Sequence, residues 1–305
     1  MPDESGLTGP LSGHQPPAPD AERLRWRRVP RLHRPIVIAA FEGWNDAGDA
    51  ASTAVRHIRD RVNAQPFAEI DPEDFFDFTS TRPVVEIVDG QSRHITWPAT
   101  EFAADDGASI GSIVTLVGYE PQLKWRTFCD QVVNVARSVD ARLVIVLGAL
   151  LAEVAHTRPT EVFGTSYDDD LSDSLGLEPS NYEGPTGIVG VLHAACIDAG
   201  IPSLSLWASV PSYVPGAPSP KAALALVRRA ADLIDVAVPV TDLEIAAAAY
   251  ERQVSRLVSE DDETATYVAQ LESSFDDPDD DDEDDAELAA EVLVEEVEQF
   301  LRNQE

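Results

Sequence analysis

The sequence predicts an α/β protein with a mostly parallel central sheet. Residues 143–147 form an unbroken apolar run that ends at Gly148, which is typical of a central strand covered on both faces. Residues 35–41 form a second apolar run, and a turn and a helical repeat follow it. The repeated order of strand, helix and strand indicates crossover units, which build parallel sheets.

The first unit lies between residues 35 and 62. After the strand, apolar residues recur at the spacing of one helical face, namely Ala51, Ala54, Ile58 and Val62. Asn45 or Asp46 is placed to accept hydrogen bonds from the free N–H groups at the start of this helix. The glycines of the turn do not match the GxGxxG pattern, so they predict no dinucleotide site.

A hairpin and a second strand–helix unit follow. Residues 84–88 and 92–97 are separated by a turn that contains Asp89 and Gly90, a pair that favours a tight hairpin. Residues 113–118 predict another buried strand, and a helical repeat follows over residues 125–139. That helix leads into the central strand.

The next stretch predicts a helix over residues 188–199, a strand over 203–209 and a helix over 224–234. Pro185 lies near the start of the first helix, where its missing N–H group is no loss. The free amides at that helix start favour an anion site. The alternative is that these residues only shape a loop, and the sequence leaves both interpretations open.

Two further helices are predicted after residue 239. Their apolar stripes are Leu243, Ala247, Tyr250, Val254 and Leu257 on the first, and Val268, Leu271 and Phe275 on the second. Helices with one apolar face must cover a surface. We expect a hairpin that packs on the main domain or on a neighbouring subunit.

These patterns divide the chain into four parts. Residues 1–22 are rich in Pro, Gly and Ser and predict a disordered segment. Residues 23–238 form the α/β domain, residues 239–275 form the helical hairpin, and residues 276–305 form an acidic linker with a short amphipathic helix. We expect the arginine-rich stretch 23–34 to dock on the acidic body of the protein.

Composition restricts the partners and the compartment. The formal net charge is −33, which disfavours nucleic acid and anionic membranes because both require a positive surface. Neither a signal peptide nor a membrane span is recognisable, so we expect a cytoplasmic protein. Cys129 and Cys196 are expected to be buried free thiols, and no ligand spacing predicts a metal site.

Eight polar residues lie at predicted strand ends or helix starts. They are Asn45, Glu120, Glu153, His156, Arg158, Tyr182, Glu183 and Thr186. Parallel strands would bring them to one edge of the sheet. They then form either a small-molecule pocket, with Arg158 holding an anion and Glu153 or Glu183 as acid or base, or a polar network that fixes loops and a subunit interface.

Familiar catalytic motifs are missing from the sequence. No predicted strand-to-helix turn carries a Gly-x-Ser-x-Gly elbow, and there is no anchored Ser-His-Asp set and no GxxxxGKS phosphate loop. Lysine occurs only as Lys124 and Lys221, which is unusual for an ATP-using ligase because phosphates are commonly bound by lysine or arginine. The sequence therefore predicts no catalytic residue and no cofactor, and it leaves open whether the protein is an enzyme.

Four stretches carry a family resemblance. They are residues 42–47 (EGWNDA), 118–121 (GYEP), 148–159 (GALLAEVAHTRP) and 182–190 (YEGPTGIVG). In this order they resemble the proteasome assembly chaperone 2 family, in its actinobacterial branch, over residues 35–235. The resemblance implies a three-layer α/β/α sandwich like that of nucleoside phosphorylases and hydrolases, and a homo-oligomer, with a trimer expected.

The resemblance also suggests a function. Eukaryotic relatives escort proteasome α subunits into rings, and those that touch the proteasome often end in a hydrophobic residue, a tyrosine and one more residue. This sequence ends Leu301-Arg-Asn-Gln-Glu305 and lacks that ending. We therefore hold two hypotheses: a non-enzymatic assembly or interaction protein with proteasome-related or other protein partners, and a hydrolase, phosphorylase or binding protein for nucleoside-like molecules.

Overall fold

The computed structural model describes residues 23–88, 92–105, 112–177 and 182–276. The predicted disordered segment 1–22 and the turn residues Asp89 and Gly90 lie outside the described residues. The predicted acidic linker and amphipathic helix also lie outside them, apart from Asp276.

The described residues form ten strands and seven α-helices. The strands are β1 (Leu24–Trp26), β2 (Ile36–Glu42), β3 (Gln65–Ile70), β4 (Val84–Val88), β5 (Ser92–Thr96), β6 (Thr100–Ala104), β7 (Ile113–Tyr119), β8 (Leu143–Ala152), β9 (Val162–Thr165) and β10 (Ser203–Pro211). The helices are α1 (Ala50–Arg61), α2 (Trp125–Ser138), α3 (Asp169–Leu175), α4 (Ile188–Asp198), α5 (Pro220–Ile234), α6 (Thr241–Val258) and α7 (Asp262–Asp276).

Eight of the strands form one mixed sheet in the order β1-β3-β6-β7-β2-β8-β10-β9. The central strands β7, β2, β8 and β10 are mutually parallel. Antiparallel strands complete the sheet on both sides. The predicted parallel core with β8 near its centre is confirmed, and the antiparallel strands were not anticipated.

Helices cover both faces of the sheet. Alternate residues of β2 and β8 enter two cores, with Ile38, Ala40, Ile145 and Leu147 on the side of α1 and α5, and Val37, Ala39, Val144 and Val146 on the side of α2 and α4. Each large apolar side chain that is fully buried contributes about 1.5–3 kcal/mol to stability. The unbroken apolar runs therefore produce a three-layer α/β/α sandwich, as predicted.

The arginine-rich segment docks on the body of the chain through β1. Arg25 pairs with Glu69 and Asp71, and Arg27 pairs with Glu69 and Glu101. Because alternate strand residues point to opposite faces, the arginines meet acidic neighbours while Leu24 packs against the core and the exposed Trp26 contacts the ring of Phe67. The expected docking is confirmed.

Strands β4 and β5 form a two-stranded sheet separate from the main one. The strands confirm the predicted hairpin. Large apolar side chains of this arm and of the residue after it are exposed, namely Val84, Val85, Ile87, Ile95 and Trp97. At its base the ring of Trp97 packs edge-on against Phe78, with centroids 4.8 Å apart.

The two C-terminal helices form the predicted hairpin and pack on the main domain of the same chain. α6 buries Leu243, Ala247, Tyr250 and Val254, and the first two join the core beneath α5. Leu257 was predicted to continue this stripe, but its side chain is 53% exposed. The stripe ends early because α6 is covered only along its first four turns.

Both cysteines are buried free thiols, as expected. Burial raises the pKa of Cys129 and of Cys196 to about 12. The reactive thiolate is therefore scarce at neutral pH. These residues act as small apolar side chains in the layer between the sheet, α2 and α4.

Candidate functional site

The start of α4 is capped by an acidic side chain from another part of the chain. Glu120 follows β7, and its Oε1 accepts a hydrogen bond of 2.9 Å from the backbone N–H of Ile188. Burial raises the pKa of Glu120, while hydrogen bonds from the N–H groups of Ile188 and Trp44 oppose that shift. The carboxylate of Glu120 thus occupies the helix start for which an anion site was one of the two interpretations of the sequence.

Asn45 connects the same helix start to the central strands. Its side-chain oxygen lies 3.5 Å from the backbone nitrogen of Val189, and its backbone oxygen accepts a 2.9 Å hydrogen bond from Ala149. A Cβ atom at Gly187 would lie 1.9 Å from that side-chain oxygen. Glycine at position 187 therefore allows the loop before α4 to pass directly over the buried Asn45.

The neighbouring Asp46 caps α1, as one of the two predicted candidates. Its Oδ1 accepts hydrogen bonds from the N–H groups of Ala51 and Ser52, at 2.7 and 3.1 Å. Its Oδ2 is buried and has no hydrogen-bond partner within the described part of the chain. Burial raises the pKa of Asp46, and the bonds to Ser52 and Ala51 oppose the shift.

Three more of the predicted residues lie in the loop that precedes α4. The hydroxyl of Tyr182 donates a 2.7 Å hydrogen bond to the backbone oxygen of Pro185. Thr186 packs its side chain beside Gly190, and Glu183 is exposed. Tyr182 and Thr186 therefore support the shape of this loop, together with Asn45 and Glu120.

The remaining three predicted residues lie after β8, beneath the C-terminal helices. His156 is 3% exposed. Its Nδ1 and its backbone nitrogen each lie 2.7 Å from the hydroxyl of Tyr213, and its Nε2 lies 2.9 Å from Oγ of Ser255. A single imidazole thus joins the loop after β8 to the loop after β10 and to α6.

The hydrogen-bond pattern identifies the donor and the acceptor in each bond around His156. Ser255 donates its hydroxyl proton to the backbone oxygen of Glu251 at 2.8 Å, so we assign the Nε2 proton to His156 as donor to Ser255. Nδ1 then accepts from Tyr213, whose hydroxyl accepts in turn from the backbone N–H of His156. Burial, followed by the charge of Lys221, lowers the pKa of His156, which favours this neutral form.

Arg158 and its neighbours bind α7. The guanidinium of Arg158 forms a two-point contact with Asp276, in which Nε lies 2.9 Å from Oδ1. Thr157 donates a hydrogen bond to Glu272, and Glu153 accepts one of 3.1 Å from the hydroxyl of Tyr267. These contacts hold α7 over the end of β8.

The eight predicted residues therefore fall into two groups at the carboxyl ends of the central strands. Asn45, Glu120, Tyr182, Glu183 and Thr186 surround the start of α4, and Glu153, His156 and Arg158 face α6 and α7. Sequence reasoning missed the partners Tyr213, Lys221, Ser255 and Tyr267. Tyr213 could have been found, because it follows β10 at the same edge of the sheet.

Comparisons with known proteins identify the family. A family model described as the PAC2 family matches residues 40–258. The chain belongs to the PAC2 family. The PAC2 match ends at the last residue of α6, so the contacts of Arg158 and Thr157 to α7 lie partly beyond it.

Solved structures agree with this assignment. A PAC2 family protein from Streptomyces avermitilis is 47% identical, with a TM-score of 0.72, and the match covers 77% of this chain and 99% of that one. A proteasome-assembly chaperone homologue from Mycobacterium tuberculosis is 46% identical, with a TM-score of 0.69, and the match covers 76% of this chain and 99% of that one. No curated protein matches the chain.

More distant PAC2-like structures share the fold. An archaeal proteasome activator from Pyrococcus furiosus has a TM-score of 0.64 at 15% identity, with 77% of this chain and 97% of that one covered. At this identity the likeness concerns the fold alone. Among the described residues of our PAC2 protein, no cluster of three or more His, Cys, Asp or Glu side chains is arranged to bind a metal ion, and no helix is long and apolar enough to span a membrane.

Proposed function

We propose that this PAC2 protein is a non-enzymatic interaction protein that acts in the assembly of a proteasome-related complex. The relative that is 46% identical is described as a proteasome-assembly chaperone homologue. The similarity extends over three quarters of this chain. The proposal takes the partner to be a proteasome subunit and the compartment to be the cytoplasm.

The observation that carries the proposal is the role of His156. In a serine nucleophile with a histidine base, the hydroxyl proton points to the imidazole. Here Ser255 gives its proton to the backbone of Glu251 and receives one from His156. The polar groups that an enzyme would use are instead engaged in holding the C-terminal helices on the domain.

Self-association is the second part of the proposal. A two-stranded hairpin is marginally stable on its own in water, yet β4 and β5 expose Val85, Ile87 and Ile95. Val85 lies opposite Ile95 and Ile87 lies two residues along the same strand, so the three side chains share one face. We propose that this face is covered in a homo-oligomer, for which the family resemblance suggests three copies.

Native mass spectrometry of the full chain, alone and mixed with recombinant proteasome α subunits of the same organism, tests both parts. We expect an oligomer alone and a stoichiometric complex in the mixture. A variant with Val85→Glu, Ile87→Glu and Ile95→Glu should be monomeric, and Ile245→Glu on the exposed face of α6 is the matched control. An oligomer that forms no complex with any α subunit would refute the assembly role.

A second candidate is a binding site for a nucleoside-like molecule. It is supported by Asp46, whose buried Oδ2 lies in the turn between β2 and α1 without a hydrogen-bond partner among the described residues. A ligand at one hundred times its dissociation constant adds about 2.7 kcal/mol to stability. Thermal unfolding with nucleosides, with phosphate and with both would show a rise if this candidate is correct, and an unchanged midpoint would exclude it.

A further inference from the structure

Lysine is scarce in this chain, and its two copies have different environments. Lys124 and Lys221 are the only lysines among 305 residues, against twenty arginines. Both lie in the described part of the chain. Lysine carries the primary amine to which acetyl groups and ubiquitin-like tags are joined, and arginine does not replace it in that chemistry.

Lys221 is held inside the contact between the main domain and α6. Its Nζ donates hydrogen bonds to the backbone oxygen of His156 and to Oε2 of Glu251, the latter at 2.8 Å. Its side chain is 16% exposed. An acyl donor can reach this amine only after both bonds break and the first turn of α5 separates from α6.

Lys124 is far more accessible. It precedes α2 in the left-handed backbone conformation, with φ at 53°, and its side chain is 48% exposed. Its Nζ pairs with Asp74, which also pairs with Arg23. When Lys124 loses its charge, Asp74 keeps its ion pair with Arg23. Modification of Lys124 therefore does not leave this carboxylate unpaired.

We infer that Lys124 is the modification site of the folded chain, at which a donor with an activated acyl group forms an amide, and that Lys221 is protected. In the reaction the unprotonated Nζ attacks the acyl carbon of a thioester or an active ester. The N–C bond forms, the bond to the thiolate or alkoxide leaving group breaks, and the amine proton passes to solvent. In the folded protein, an acyl donor that reacts with amines therefore has one accessible lysine to modify.

Modification of Lys124 changes the protein surface only around this residue. An amide at Lys124 replaces an ammonium group and removes the ion pair with Asp74, at the junction between the short helical turn after β3 and the start of α2. Exposed ion pairs contribute little to the stability of a fold. Modification is therefore compatible with the fold and changes the charge of this face.

Limited acetylation of the full-length protein by N-hydroxysuccinimidyl acetate, followed by peptide mass spectrometry, tests the inference. We expect Lys221 to react about tenfold more slowly than Lys124 in the folded protein, because reaction requires local opening. The two rates should converge in 8 M urea, where neither amine is protected. Peptide mapping separates both from the α-amino group.

Two variants make the test specific. Lys124→Arg keeps the positive charge beside Asp74, and it should leave only the slow acetylation of Lys221 in the folded chain until urea is added. Glu251→Gln weakens the partner of Lys221, and it should increase labelling at Lys221 while leaving Lys124 unchanged. Equal rates at the two lysines in the folded wild-type protein would overturn the inference, whatever the outcome of the proteasome-binding experiment.

Discussion

His156 Nε2 lies 2.9 Å from the hydroxyl oxygen of Ser255, which is 99 residues further along the chain. The contact joins the end of the central strand β8 to α6. Because Ser255 already donates to the backbone of its own helix, the imidazole acts as the donor, and the pair functions as a link between two parts of the fold. The stability of the C-terminal helices should depend on it.

Replacement of His156 should loosen α6 and α7. His156→Ala removes the bonds to Tyr213 and Ser255 and leaves the half-buried hydroxyl of Tyr213 with fewer partners. Loss of such bonds costs about 1–3 kcal/mol. We expect this decrease in the free energy of unfolding by urea, together with faster proteolysis between residues 241 and 276.

Ser259→Ala provides the control for that experiment. Ser259 also lies near the end of α6, but its hydroxyl bonds only to the local backbone of Arg256. We expect its effect to stay within about 0.5 kcal/mol. Equal stability of His156→Ala and Ser259→Ala would show that the imidazole does not hold the helices.

Acid should destabilise the protein through His193. This residue of α4 is 2% exposed, and burial lowers its pKa from 6.5 to about 4. Between these pH values the unfolded chain binds a proton that the folded chain does not, so stability is full above pH 6.5 and falls as the pH drops toward 4. A shift of this size corresponds to about 3 kcal/mol.

His193→Leu tests this pH dependence. Nε2 of His193 has no hydrogen-bond partner in the described structure. Leucine at this position therefore breaks no hydrogen bond of Nε2, and it removes the imidazole that takes up a proton in acid. We expect the variant to lose less stability than the wild-type protein between pH 7 and pH 4.5 in urea unfolding. His94→Asn on the exposed strand β5 should retain the wild-type dependence, and the same result for His193→Leu would contradict the assignment.

The cap at α4 gives a third prediction. Glu120→Ala removes the acceptor for the N–H group of Ile188 and the negative charge at the positive end of the helix dipole. Loss of an N-terminal cap costs about 0.5–2 kcal/mol. Glu183→Ala, an exposed carboxylate in the preceding loop, should have little effect, and equal losses in chemical denaturation would contradict a specific role for Glu120.

The parallel core could be predicted from sequence because its strands are long and apolar. β2 and β8 are apolar at every buried position, since alternate residues enter different cores. The antiparallel strands lack this signal. β3 contains Gln65 and Pro66, and its pairing with β6 is irregular after Pro66, so no alternation of polar and apolar residues marks it.

The sequence could predict which residues lie at the candidate site, but it could not predict which partners they contact. Strand ends and helix starts identified Glu120 and His156, because the topology brings such positions to one edge of the sheet. Their partners depend on how α6 and α7 fold back, and nothing local to Ser255 or Glu272 encodes that direction. The expected anion position likewise required knowledge of Glu120, which lies 68 residues before Ile188.

The contact between Arg158 and Asp276 gives the last prediction. Arg158 also lies 3.8 Å from Glu272, so its loss leaves two acidic side chains of α7 without their cation, and α7 is held by few buried residues. Arg158→Ala should increase hydrogen exchange in α7 selectively, because the exposed ion pairs that hold this helix are lost. High salt should produce the same change in the wild-type protein, because it screens exposed ion pairs. Arg252→Ala, on the exposed side of α6, is the matched control. If exchange in α7 is the same in both variants and at high salt, the helix is held by apolar packing around Val268 instead.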